Sequence, residues 1–197
     1  MKTWLFSLAI LLGTSAFAQG KINNFTRLEI DGPLIVDLIV SDQPGIIATQ
    51  EADLVTWEVN GDALVVMARY REGRETARVA IRVPELAALE TTGAVILTGK
   101  GVLVTRKLSV RLSGQSVVDL EIDVETLTAN LRSQSILTLK GSADAFQLSA
   151  DQQSVAHVQG VVSGELDVNA DHQSVVTIQR GNAKVALSTQ HQSVVVE

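Results

Sequence analysis

The chain has no cysteine, which excludes a disulfide framework, a thiolate metal or redox site and a cysteine-borne lipid. Aromatic residues make up only 4% of its 197 residues, too few to build the stacking platforms that grip nucleobases or sugar rings. Positive charge is also short, with 16 Lys and Arg against 22 Asp and Glu. That balance argues against nucleic acid and anionic membrane surfaces as partners. Beyond the first residues no apolar run is long enough to cross a bilayer, so no transmembrane segment is expected in the mature chain. No cofactor-binding motif is visible, and no cofactor is expected.

The amino terminus reads as an export signal. Met1-Lys2-Thr3 is followed by apolar residues from Trp4 to Leu12 and by Ala16-Phe17-Ala18 before Gln19. A basic start, a short apolar run and a small-x-small site predict a signal peptide over 1–18, and hence a protein of the periplasm, the outer cell envelope or the medium.

A repeat occupies the second half. Gln-Ser recurs at Gln115-Ser116, Gln134-Ser135, Gln153-Ser154, Gln173-Ser174 and Gln192-Ser193, at spacings of 19, 19, 20 and 19 residues. Alternating triplets precede the pairs: Leu108, Val110, Leu112; Leu127, Ala129, Leu131; Phe146, Leu148, Ala150; Leu166, Val168, Ala170; Val185, Leu187, Thr189. Val118 and Leu120, Leu137 and Leu139, Ala156 and Val158, and Val176 and Ile178 follow them. Period-2 alternation marks strands with one face turned inward. Each repeat thus predicts a strand, a corner at Gln-Ser, a second strand and a connecting turn, with Gly141, Gly160, Gly164 and Gly181 at several turns.

At about 3.3 Å per extended residue, one repeat traces roughly 65 Å of chain. That length closes one turn around an apolar core, and successive turns then stack as parallel strands. The predicted fold is an all-β, right-handed parallel β-solenoid of 19–20 residues per coil, the hand following that of parallel crossovers. Leucine-rich repeats lack support because their asparagine ladder and helical segment are missing, and hexapeptide coils because the apolar period differs. Residues 19–92 read as irregular coils that cap the regular stack of 93–197, with strands at Phe25–Ile30, Leu34–Val40, Trp57–Val59 and Leu64–Ala68 and a tight turn at Asn60-Gly61-Asp62.

Four signatures make the chain resemble the head GIN domains, a family of bacterial secreted domains also known as auto-transporter adhesins. They are Phe25-x-x-Leu28-x-Ile30-x-Gly32, Gly61-Asp62-x-Leu64, Val83-Pro84-x-Leu86-x-x-Leu89 and Gly93-Ala94. The resemblance spans nearly the whole mature chain and implies a β-solenoid of the cell envelope with no catalytic residues. The family usually repeats a Ser-Gly-Ala-Gly-like corner. Here it becomes Ser113-Gly114-Gln115-Ser116 and Arg132-Ser133-Gln134-Ser135, which is bulkier and more polar.

Three constellations carry candidate chemistry. Stacked Gln115, Gln134, Gln153, Gln173 and Gln192 can bond amide to amide, while Ser116, Ser135, Ser154, Ser174 and Ser193 satisfy backbone groups at the bend. Together they form a ladder or an exposed recognition face. Five equivalent serines cannot all be nucleophiles, and none lies in a Gly-x-Ser-x-Gly elbow. His172 and His191 fall in one column beside Asp171, where a divalent metal could be shared with Asp171 or Gln190 completing its shell. Two stacked imidazoles are also expected to charge and repel near pH 5.5, loosening the last coils. Finally, Val194-Val195-Val196 forms an apolar strand edge that invites self-association into a homo-oligomer.

Asp119, Glu121, Asp123 and Glu125 alternate with apolar residues and are expected to point outward as a solubilising face. The function that emerges is a non-enzymatic envelope module for binding, adhesion or scaffolding, with an envelope protein or a glycan as ligand. The alternative is a secreted polysaccharide-active β-helix enzyme, which rests on fold-level analogy.

Overall fold

A computed structural model of the protein describes residues 19–20, 22, 25–179 and 183–196. The signal-peptide reading of 1–18 and the turn at Gly181 lie outside the described residues. The chain opens with β1 (Gln19–Gly20), β2 (Arg27–Asp31), β3 (Leu34–Val40) and β4 (Gly45–Gln50). A 3-10 turn at Ala52–Leu54 leads to β5 (Val55–Asn60), β6 (Ala63–Ala68), β7 (Ala77–Val83) and β8 (Ala88–Thr92). Four long strands follow: β9 (Val95–Ser113), β10 (Val117–Leu131), β11 (Ile136–Ala150) and β12 (Val155–Ala170). The last are β13 (Val175–Ile178), β14 (Lys184–Thr189) and β15 (Val194–Val196). All belong to one 15-stranded sheet.

The repeat sets the register. Val117, Ile136, Val155, Val175 and Val194 pair in succession along parallel strands, and so do Leu127, Phe146, Leu166 and Val185. The fold is therefore a parallel β-solenoid, as the spacing implies. Inward residues form one continuous apolar core from Ile22 to Ile178, and every inward position read from the alternation between Leu108 and Ile178 is buried. Val185 is only partly buried, and Leu187 and Thr189 are exposed, because β14 is the last strand on its face among the described residues.

Two details differ from the simple repeat. The connecting turn between the two strands of a coil is a bend within one continuous strand. Inward positions are two apart except between Val124 and Leu127, and between Ala143 and Phe146, where they are three apart and the strand bends. The coils touch closely there: a Cβ on Gly141 would lie 1.9 Å from the Ile122 carbonyl oxygen, and one on Gly160 2.0 Å from that of Gly141. The twentieth residue of the long repeat sits in a bulge, since Ala143 pairs with Val162 but Ala145 pairs with Glu165.

The N-terminal third caps the stack out of chain order. β2 lies between β6 and β8, and β3 between β7 and β9, all parallel. The chain lays its first coil, passes outward to β6 and β7, and then crosses back through Pro84–Ala87 to continue on the other side. Beyond this coil the pairing turns antiparallel: β4 runs against β7, β1 against β4, and β5 against β6 through the tight turn after Asn60. These short antiparallel strands end the sheet at that side.

Val176 is fully enclosed and Asp123 faces solvent. Val176→Asp strands a carboxylate in the core and is expected to cost about 4 kcal/mol, whereas Asp123→Ala is expected to stay within about 0.5 kcal/mol. Urea denaturation midpoints of the two variants check both values.

Candidate functional site

At the four corners from Ser133 onward two consecutive residues adopt left-handed backbone, whereas at the first Gly114 alone does. The φ values are 59° and 69° at Ser133 and Gln134, 56° and 64° at Gln152 and Gln153, 47° and 64° at His172 and Gln173, and 45° and 64° at His191 and Gln192. Two successive positive φ angles give the type I′ turn. In the last two corners the N–H groups of Ser174 and Ser193 close it by donating to the Asp171 and Gln190 carbonyls at 3.2 and 3.1 Å. The corner does not interrupt the stack. The N–H groups of Gln134, Gln153 and Gln173 donate across to the carbonyls of Gln152, His172 and His191 in the next coil.

The serine column faces inward. Ser116, Ser135, Ser154 and Ser174 are fully buried, and Ser193 is partly buried. Ser135 and Ser154 donate from Oγ to the Arg132 and Asp151 carbonyls, both at 2.6 Å. The hydroxyl oxygens of Ser174 and Ser193 accept the N–H groups of Ser154 and Ser174 at 3.3 and 3.1 Å. These serines are structural acceptors and donors, so the stripe that reaches solvent is narrower than the sequence reading had it. It consists of the glutamines.

The glutamine amides form a directional chain. Nε2 of Gln115 donates to Oε1 of Gln134 at 3.4 Å, and the same bond recurs from Gln134 to Gln153 at 3.1 Å, Gln153 to Gln173 at 3.0 Å and Gln173 to Gln192 at 3.4 Å. Beside it runs a second column, Gly114, Ser133, Gln152, His172 and His191. A shallow trough of about 870 Å³ lies along the two columns.

The register extends both columns toward the N-terminus, where their chemistry changes. Leu34 pairs with Val95, and Ile96 with Val117, so Gly32 and Gly93 precede Gly114, while Pro33 and Ala94 precede Gln115. The same fold thus turns its first corners with glycine, proline and alanine, and its later ones with glutamine, serine and histidine.

The histidines stack as the column predicts, with ring centroids 4.7 Å apart and planes 10° from parallel. Each ring reaches back one coil to a carboxylate. Nδ1 of His172 lies 2.7 Å from Oδ1 of Asp151, and Nδ1 of His191 lies 2.6 Å from Oδ1 of Asp171. Asp171 also lies 3.4 Å from His172 Nδ1. Asp171, His172 and His191 could together hold a metal ion by one donor atom each. Asp151 was missed in the sequence, although it stands two residues before Gln153 as Asp171 does before Gln173. Gln190 takes the corresponding place in the last corner. Each ring thus faces a carboxylate of the preceding coil.

The His191 hydrogen bond holds the Asp171 carboxyl below its usual value of 3.8, against desolvation, and with help from the His172 N–H and the charges of both rings. The folded chain favours the ionised form. The contact therefore supports the fold above the unfolded value and is lost as the pH falls through the folded one.

The profile of the family described as "Putative auto-transporter adhesin, head GIN domain" matches residues 24–193. The chain belongs to the head GIN domain family. Its solenoid is similar to that of a "putative adhesin" from Bacteroides fragilis, with a TM-score of 0.71 over 90% of this chain and 93% of that one at 12% identity. A "putative lipid binding protein" from Parabacteroides distasonis aligns with a TM-score of 0.59 at 13% identity, covering 90% of this chain and 94% of the other. A "putative adhesin" from the same organism gives 0.58 at 14% identity, with 90% and 95% covered. No curated protein matches the sequence. At these identities the likeness establishes the fold. The family description points to an adhesion-type module of the cell envelope or exterior. Among the described residues no helix is long and apolar enough to cross a membrane.

The two halves of the corner differ in what they contribute. Ser174→Ala leaves the buried Ser154 N–H without its acceptor and is expected to cost about 2 kcal/mol. Gln173→Ala removes two exposed amide bonds and is expected to cost about 0.5 kcal/mol or less. Chemical denaturation of the two variants side by side checks the contrast.

Proposed function

We propose that this head GIN domain is a non-enzymatic, exported adhesion module whose recognition face is the glutamine column and the trough beside it, and that its ligand is an extended glycan. The observation that carries the reading is the change of corner chemistry along one stack. Gly32, Gly93 and Gly114 turn the chain without strain, so the fold itself does not require glutamine or histidine there. Left-handed backbone costs a residue other than glycine about 1–2 kcal/mol. The later corners carry it at eight positions, from Ser133 to Gln192. Their side chains bond one another through the amide chain and the Ser133–Gln152 contact, and meet the Asp151 and Asp171 carboxylates. Non-glycine residues held in left-handed backbone cluster at ligand-binding sites, and here they carry the exposed polar columns.

Glycan suits the stripe chemically. Primary amides repeating at the strand spacing of about 4.8 Å offer donor and acceptor together, as hydroxyl-rich polymers require, and many weak contacts along one polymer add by multivalency. An envelope protein is the other arm of the test. The acids do not favour the enzyme reading, since Asp119 pairs with Lys140 and Asp123 accepts from Ser142.

The triple variant Gln134→Ala, Gln153→Ala and Gln173→Ala is expected to fold with nearly unchanged stability and to lose at least tenfold in retention on an immobilised glycan panel. The panel is run in EDTA, beside a pull-down from envelope fractions. Retention by the variant equal to that of the parent protein rules out this face.

A second contact is proposed at the far end, where β14 and β15 carry no further strand among the described residues and Leu187, Val194 and Val196 are 45–49% exposed. Antiparallel pairing of β15 with its copy about a two-fold axis covers this edge. Light scattering at high concentration is expected to give a dimer that Val195→Pro converts to a folded monomer. A parent protein that stays monomeric disproves the contact.

A further inference from the structure

We propose that Asp151, Asp171, His172 and His191 form a binding site for a borderline divalent metal ion such as zinc, held by the two imidazole Nε2 atoms and oriented by the two carboxylates. A carboxylate accepts but does not donate, so the 2.7 and 2.6 Å contacts place the proton of each neutral ring on Nδ1. Nε2 of each ring then carries the free lone pair. This carboxylate–histidine arrangement is the one that fixes tautomer and ring orientation in metal sites and raises ligand basicity. The carboxylates are themselves fixed, because the N–H groups of Gln152 and His172 donate to Asp151 and Asp171 at 2.8 Å in both cases.

Two imidazoles on one tetrahedral zinc bring their nitrogens to about 3.4 Å from each other and aim their lone pairs at one point. The rings are stacked with centroids 4.7 Å apart and planes 10° from parallel, so each must turn about its side-chain bonds to bring Nε2 to a shared ion. Both side chains are free to do so, being 57% and 63% exposed. The remaining metal positions open onto the trough, which both rings line. Imidazole nitrogen selects zinc, copper or nickel over calcium and magnesium. The type I′ corners contribute directly, since left-handed backbone at His172 and His191 sets the two rings in one column. The site is independent of the glycan reading.

Isothermal titration of the full mature protein with zinc chloride, and separately with calcium chloride, tests the site. One zinc per chain and no calcium are expected, with EDTA reversing the binding. His172→Ala and His191→Ala each remove an exposed side chain and are expected to abolish binding while circular dichroism stays that of the parent. Asp151→Asn keeps both rings and is expected to weaken zinc by 10- to 100-fold. Zinc binding that survives loss of either histidine, equal binding of calcium, or no zinc binding at millimolar concentration overturns the proposal.

Discussion

The whole molecule depends on parallel backbone pairing that passes through the corners without a break. In most sheets a tight turn ends the ladder. Here the inter-coil bond from Gln134 N–H to the Gln152 carbonyl lies inside the turn, and the bond from Ile136 N–H to the Ser116 carbonyl resumes pairing just beyond it. Every coil must therefore turn at the same place, and equivalent side chains are forced into columns. The amide ladder, the buried serine seam and the histidine stack are all consequences of that single constraint. A polar column becomes a surface of defined pitch only because the backbone beneath it cannot slip.

The constraint also explains which corner residues are free to vary. The third residue of each regular corner unit, Ser135 or Ser154, is enclosed and bonds the turn's own carbonyl, so its chemistry is dictated from inside. The two residues before it point outward, and the first of them must tolerate left-handed backbone. Glycine meets that need at Gly32, Gly93 and Gly114, the last of them so close to its neighbour that a Cβ would lie 2.7 Å from Gly93 N. From Ser133 onward larger residues occupy the position. The fold thus separates a dictated inner column from two permissive outer ones, and surface chemistry can change along the stack while packing does not.

Much of this was legible in the residue order, because solenoid pairing converts spacing into register. The 19- and 20-residue spacings placed Gln134 against Gln115 and Gln153, and the alternating triplets named the core down to Ile178. Other features left no local trace. Ser133-Gln134 and His172-Gln173 carry none of the glycine or asparagine that usually marks a left-handed turn, so the strain of the corner appears only in the backbone. The insertion of β2 and β3 between later strands is a matter of chain path, since short strands do not specify which neighbour they take. Asp151 went unrecognised because the ring it meets belongs to the following coil, offset by one column, and columns alone predict straight rather than diagonal contacts.

The diagonal pairs also occur where apolar burial runs out. Phe146 and Leu148 are almost fully enclosed, but their counterparts two coils on, Val185 and Leu187, are half-buried or exposed. A terminal coil still incurs the ordering entropy of every residue, and it does so with less hydrophobic return. Asp171–His191 ties this coil back to the one before it, as Asp151–His172 does one step earlier. Both contacts lie at the solvent-exposed surface, where such pairs add little, so neither closes the gap left by a missing layer of side chains. Among the described residues β14 and β15 therefore have the least apolar cover, and the two Asp–His contacts lie beside them.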